Sequence, residues 1–194
     1  GLLCFQSVYG QGIDRYADDA VQRLSAYLQI DTINPPGNES RGVAYLAVLL
    51  EEAGINYETA ESAPGRGNLW ARTSGVSKDG KPKKPTLVLL HHIDVVPANR
   101  QFWSFEPLSG DVKDGFIYGR GAIDTKGLGI AQLQAFLALA ASGQTLNRDV
   151  LFLATADEEA GGFYGAGWLI ENRPEWFTVV GCGLNWGGPG PAVG

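Results

Sequence analysis

Two short apolar runs each end in a cluster of metal-competent side chains. Thr86-Leu87-Val88-Leu89-Leu90 leads into His91-His92-Ile93-Asp94, and Val150-Leu151-Phe152-Leu153-Ala154 leads into Asp157-Glu158-Glu159. Continuous apolar runs of this length read as strands buried on both faces. In open α/β sheets, ligands gather beyond the carboxyl ends of such strands. Side by side, the two strands would bring His92, Asp94, Glu158 and Glu159 together. A neutral imidazole with carboxylates is a donor set suited to zinc. Asp94 could accept the other ring N–H of His92 and fix its tautomer. A third element, Tyr118-Gly119-Arg120-Gly121-Ala122-Ile123-Asp124-Thr125-Lys126-Gly127, places Asp124 just before a helical pattern. From composition alone Asp124 reads as a helix cap, with a ligand role as the alternative.

The elements that must position these groups follow from periodicity. Ala17, Val21, Leu24, Tyr27 and Leu28 have helical spacing within Asp14 to Ile30, and Asp31 to Asn38, with its two prolines, breaks the pattern. Ser40 to Ala53 is a second helix, with Gly54 where a C-terminal cap would lie. Ile55 to Thr59 and Asn68 to Thr73 read as strands around a turn at Ser62 to Gly67. Lys126 to Ala141 is an Ala- and Leu-rich helix. A further helix begins at Gly165 to Glu171 and stops near Pro174, and Phe177 to Val180 reads as a last strand. Helices alternating with buried strands predict an α/β layered domain.

Composition narrows the function classes. The 194 residues are enough for one domain with a core and too few for two large ones. With 44% hydrophobic and 19% charged residues, the chain is ordinary for a globular protein. A net charge of −6 argues against nucleic acid as a partner, which needs clustered Lys and Arg; the basic stretch Lys78 to Lys84 reads as a solvated loop. No apolar run approaches the roughly 18 residues of a membrane span. Cys4 and Cys182 form no disulfide framework. Gly1 to Gly12 reads either as the tail of a secretory signal, which implies a secreted or periplasmic protein, or as a short structured arm, compatible with the cytoplasm.

Three segments in order, HHIDVVP, then WSFEPLSGDVKDGFIYGRGAIDTKG, then ATADEEAGG, closely resemble the aminoacylase/carboxypeptidase family of co-catalytic zinc hydrolases. Ile30 to Glu39 also resembles that family's N-terminal segment, and the resemblance covers about residues 14 to 188. It implies a three-layer helix/sheet/helix, zinc-exopeptidase-like catalytic domain, truncated and without the family's lid domain. The expected organisation is an arm or signal remnant at 1–13, a partial metallopeptidase catalytic domain at 14–188 and a linker-like tail at 189–194.

The same resemblance implies the site. His92 binds one zinc, Asp124 bridges both, and Glu159 binds the other. Glu158 is the general base, Asp94 orients His92, and the peptide bond after Asp124 is cis. The implied reaction is zinc-dependent hydrolysis of an amide bond in peptides or N-acyl amino acids, Glu158 taking a proton from water and delivering it to the leaving amine. Around these groups, His91 reads as a packed neighbour and Arg120 as a brace of its loop. Trp103, Phe105 and Pro107 read as packing under that loop, Trp168 and Trp176 as core or an exposed seam, and Gly119 and Gly121 as backbone geometry.

Two departures bear on activity. In the slot of a further carboxylate ligand stands Trp186, within Leu184-Asn185-Trp186-Gly187-Gly188, and Asn185 is a weak substitute. The family's last ligand is a distant histidine, whereas this chain has two histidines in total, His91 and His92. Counted over two zincs, each ion keeps two protein ligands, below the three usual for a catalytic zinc. The expectation is weak or absent metal binding and little hydrolysis by this chain alone, with an inactive binding or scaffold module on the same fold as the alternative. A truncated fold should also expose apolar surface through which copies self-associate.

Overall fold

The computed structural model describes residues 8–77, 79, 81, 83–177 and 180–185. Helix α1 runs Val8–Leu28, so the stretch from Val8 to Ile13, assigned to the arm, belongs to the helix. Its packed face is carried by Leu24, Tyr27 and Leu28, while Ala17 and Val21 are exposed. Helix α2 runs Ser40–Glu52. Gly54, at φ +68°, closes it: the Gly54 N–H donates to Glu51 and the Ile55 N–H to Leu50. This Schellman pair satisfies two carbonyls that the helix end would otherwise leave open. It also occupies Ile55, so strand β1 is Tyr57–Glu61 rather than Ile55 to Thr59.

Strands β2 (Gly67–Thr73), β3 (Lys84–His92) and β6 (Arg148–Thr155) build the sheet centre. A separate hairpin pairs β4 (Asp111–Lys113) with β5 (Phe116–Tyr118). Between its strands Asp114 and Gly115 both have positive φ, the backbone of a two-residue Asp-Gly hairpin turn. The last strand, β7, is Val180–Leu184, and Phe177 lies instead in a 3-10 turn at Pro174–Phe177. The sheet order is β1-β2-β6-β3-β7. The β1–β2 and β2–β6 pairs are antiparallel; β3 lies parallel to both β6 and β7.

Helix α3, Lys126–Ala141, makes the crossover from β3 to β6. One face of the sheet, through Leu69, Ala71, Leu89, Val150, Phe152 and Ala154, packs on α1, α2 and α3. The other, through Val88, Leu151 and Leu153, packs on α4 (Ala166–Asn172) and on Trp176, which stacks on Trp70. Trp176 is therefore core, and the three layers expected from the sequence are present. All five residues of β7 are exposed, with Val180 and Leu184 among the large apolar side chains open to solvent. Among the described residues, no helix is long and apolar enough to cross a membrane.

Candidate metal centre

The ladder between β3 and β6 fixes the first candidate ligand. His92 pairs with Thr155 at the carboxyl ends of both strands, and the Ile93 N–H extends the ladder to the Thr155 carbonyl at 2.8 Å. Residues 32–34 then run alongside 93–95. The Thr32 hydroxyl donates to the Ile93 carbonyl (2.8 Å), the Val95 N–H to Thr32 (3.1 Å) and the Asn34 N–H to Val95 (2.9 Å). Asp94, fully buried, thus stands between the sheet and this added segment.

Asp124 arrives from the other side. Thr125, not Asp124, is the N-cap of α3, and no side chain caps that end; the helix-cap reading of Asp124 is thereby corrected. Its Oδ1 lies 2.9 Å from His92 Nε2, and the Asp124–Thr125 peptide is cis, as the resemblance implied. The next residue anchors the turn. Lys126 is fully buried and donates to the carbonyls of Tyr27 (3.0 Å) and Ile30 (2.7 Å) at the end of α1. Burial pushes its ammonium down to about 7, slightly opposed by Asp31.

Glu158 and Glu159 open a 3-10 turn, Glu158–Ala160, behind Asp157 at φ +68°. The Glu158 N–H donates to Asp94 Oδ1 and the Glu159 N–H to Asp94 Oδ2, both at 3.1 Å. Asp94 therefore grips the turn that carries both glutamates. It is a weaker partner of His92 than expected. His92 Nδ1 donates to the Asp94 backbone carbonyl at 2.9 Å, while the Asp94 carboxylate is 3.4 Å away. The ring is still oriented by Asp94, chiefly through its main chain.

With Nδ1 committed as a donor, His92 Nε2 is the free nitrogen. It faces Asp124 Oδ1 at 2.9 Å and Glu158 Oε2 at 3.8 Å. A lone pair cannot rest against carboxylates unless a proton or a cation lies between them. His92 is accordingly pushed up to about 9: burial opposes the charge, and Asp94, Asp124 and Glu158 outweigh it. Glu159 is raised, mainly by burial and despite His92. Asp94 is lowered: burial works against this, and hydrogen bonds from His92 and Asn34 prevail. Ligand atoms of His92, Asp124 and Glu159 lie within 4.8 Å of one another. One imidazole nitrogen and two carboxylates at the mouth of a sheet, short of positive charge, fit a zinc ion.

His91 points away from this cluster. It is fully buried, lies edge-on to Tyr27, whose hydroxyl is 3.3 Å from Nε2, and packs on Phe152. Burial, then His92 and Lys126, push it down to about 3. Its reading as a packed neighbour holds. Arg120 stacks its guanidinium over Trp103, and Phe105 stacks on Tyr118. Trp168 is half-buried beside the α4 cluster. Trp186 lies outside the described residues; Asn185, exposed, lines a cavity of about 90 Å³ with His92, Glu158 and Leu90. A larger cleft of about 750 Å³ sits at the opposite end of the sheet, beside Arg23, Arg72 and Ala141, away from the ligands.

Periodicity did not reveal the polar layer underneath. Arg66 makes a two-pronged contact with Glu39 (2.8 Å and 2.8 Å) and reaches Asp157 Oδ1 at 2.7 Å. The Asn34 amide nitrogen donates to Asp94 Oδ2 (2.7 Å) and Asp157 Oδ1 (3.1 Å). All five of these side chains are buried. Gly37, at φ +108°, leaves room for the layer, since a Cβ there would meet Arg66 Nε at 2.6 Å. The sequence signals were the breaker Asn34-Pro35-Pro36-Gly37 and an arginine between two glycines, neither of which specifies burial.

Known proteins resemble this chain in sequence and in fold. Residues 88–194 match the model of Peptidase family M20/M25/M40. Aminoacylase-1 of Sus scrofa is 32% identical over 157 residues, 80% of this chain and 37% of that protein. Succinyl-diaminopimelate desuccinylase of Methylobacterium radiotolerans is 36% identical over 165 residues, 81% of this chain and 40% of that protein. Human carnosine dipeptidase 1 superposes with a TM-score of 0.70 at 27% identity, covering 90% of this chain and 39% of that one. The chain thus spans about two fifths of the length of the relatives it matches.

Proposed function

The chain belongs to the peptidase family M20/M25/M40, and from that premise we propose that it carries the metal and base end of a zinc-dependent amide hydrolase. The substrate class is a peptide or an N-acyl amino acid. The supporting observation is the convergence of His92, Asp124 and Glu159 on one point with Glu158 beside it. Spread over two zincs these residues give two ligands each; around a single ion they give three, the number usual for a catalytic zinc with one open position.

His92 Nε2, an Asp124 oxygen and a Glu159 oxygen would hold the metal. Bound there, zinc would supply Lewis acidity toward the scissile carbonyl and would acidify water near neutral pH. Glu158, exposed at the rim, is free to take a proton from the attacking water and return it to the leaving amine. Asp94 keeps the Nδ1 proton on His92 through its carbonyl and aims both glutamates through their amides. A second ion, on Asp124 and Glu159, would need ligands beyond the three described here.

The test is hydrolysis of N-acyl amino acids and dipeptides by the zinc-loaded chain, with and without a chelator. The proposal expects slow release of free amine, in keeping with the short ligand set, and its abolition by chelator. Replacing Glu158→Gln should lower the rate by about 100-fold or more, the usual scale for a general base. Zinc binding without hydrolysis would favour the alternative, an inactive binding module on the same fold.

A further inference from the structure

We propose that Asn34 is a positioning residue of this centre. Its side-chain amide, inserted between Asp94 and Asp157, fixes the turn that presents Glu158 and Glu159 to His92. The inference rests on the reading of those glutamates as base and ligand, and it concerns how the turn is held.

Both neighbours of the amide are carboxylates, which accept only, so the donor nitrogen must face them. One N–H serves Asp94 Oδ2 at 2.7 Å, the other Asp157 Oδ1 at 3.1 Å. These two oxygens do different work on the same turn. Asp94 Oδ2 also receives the Glu159 N–H, while Asp157 supplies the left-handed residue at which the turn begins. Asp157 is held from behind by Arg66 and from beyond the turn by the Tyr164 N–H at 3.1 Å. Among the described residues, Asn34 is the one side chain that links the two carboxylates directly. Without it the two carboxylates would lose the donor they share, leaving Asp157 to Arg66 and Asp94 to the glutamate amides, with a mutual repulsion that burial strengthens.

The placement of Asn34 is itself over-determined. Its N–H donates to Val95, its neighbour Ile33 bridges to Val95, and the Pro35-Pro36-Gly37 turn carries the chain into α2. Glu39, at the start of that helix, binds Arg66 and also accepts the Asp157 N–H at 3.1 Å. The segment therefore ties the start of α2 to the catalytic turn through charge-assisted hydrogen bonds. An aspartate in place of Asn34 would supply no donor, and an alanine would leave both acceptors short.

The experiment is amide NMR on the isotope-labelled chain, with and without zinc, comparing the parent with Asn34→Ala. The expected result is displaced Glu158 and Glu159 amide resonances and about tenfold faster exchange of those two protons, the scale of one lost hydrogen bond. The Phe152 and Leu153 amides of β6 should keep their resonances. Should Asn34→Ala not fold, Asn34→Ser, which retains one donor, replaces it and should give a smaller shift of the same two amides. Unchanged Glu158 and Glu159 amides, or changes only in step with Phe152 and Leu153, would overturn the inference, since a merely structural role moves the core equally. Zinc content is read in the same samples. An empty parent chain with the local shift present would defeat the enzyme reading and leave the positioning role standing.

Discussion

Removing the Arg66 guanidinium should be among the most damaging single changes to this chain. Its side chain is 10% exposed, and it neutralises two carboxylates that are almost wholly inaccessible, Glu39 at 0% and Asp157 at 3%. Breaking a buried ion pair by deleting one partner costs about 3–5 kcal/mol, because an uncompensated charge remains inside. With a urea dependence of about 2 kcal/mol per molar for a domain of this size, Arg66→Ala should lower the unfolding midpoint by about 1.5–2.5 M. Arg66→Lys keeps the charge but loses the planar fork that meets Glu39 with two bonds, so a loss of about 1–2 kcal/mol is expected. The deficit should depend on pH. Glu39 already has a raised pKa, from burial and despite Arg66; without the guanidinium it rises further. A carboxyl whose folded pKa exceeds its unfolded value contributes stability below the unfolded value and loses it as pH rises through the folded one. The gap between Arg66→Ala and the parent should therefore narrow on going from pH 7 to pH 4. Urea unfolding followed by tryptophan fluorescence at both pH values is the assay. If Arg66→Ala and Arg66→Lys both unfold within about 0.5 kcal/mol of the parent, the pair behaves as a surface bridge, and the buried layer described above does not hold the turn.

Two further expectations concern the start of β6, at the opposite end of the sheet from the site, and the lysine that opens α3. Asp149 is 12% exposed, accepts from the Gly75 N–H and Lys83, and has a lowered pKa although burial alone would raise it. Its stabilisation is full above the unfolded value near 3.9 and is lost as pH falls through the folded one. Asp149→Asn should then cost about 1 kcal/mol at pH 7 and nothing once both forms are protonated, as measured by urea titration across that range. Lys126→Met keeps the buried stem but strips the donors from the Tyr27 and Ile30 carbonyls. It should destabilise the chain by about 1–3 kcal/mol, visible as a lower melting temperature.

Legibility in the sequence followed the physics of each part. Strands β3 and β6 and helix α3 stood out because continuous apolar runs and an uninterrupted Ala/Leu pattern admit few other readings, and the candidate ligands His92 and Glu159 lie at or just beyond those strands' ends. Strand β7 was displaced because Gly181 and Gly183 depress strand propensity; yet Gly181 is needed there, since a Cβ would meet Pro85 Cβ at 2.1 Å. The β4–β5 hairpin was announced by Asp114-Gly115, a turn signal that the loop-like stretch around it obscured. From composition alone Asp124 read as a cap because its position before a helix suits that role; the resemblance implied a metal ligand, and the fold turns the carboxylate toward His92. Arg66, Glu39 and Asn34 were hidden because charged and amide side chains are ordinarily exposed. Nothing local in the sequence announces that three distant ones meet under the site.

The most direct test of the account is zinc content per chain after metal loading and gel filtration, for the parent and for the His92→Ala/Asp124→Ala double variant. The account predicts about one zinc in the parent, the stoichiometry of a three-ligand group, and none in the double variant. Equal zinc in both proteins, or none in either, would contradict it: the convergence of His92, Asp124 and Glu159 would then be inherited geometry without a metal centre.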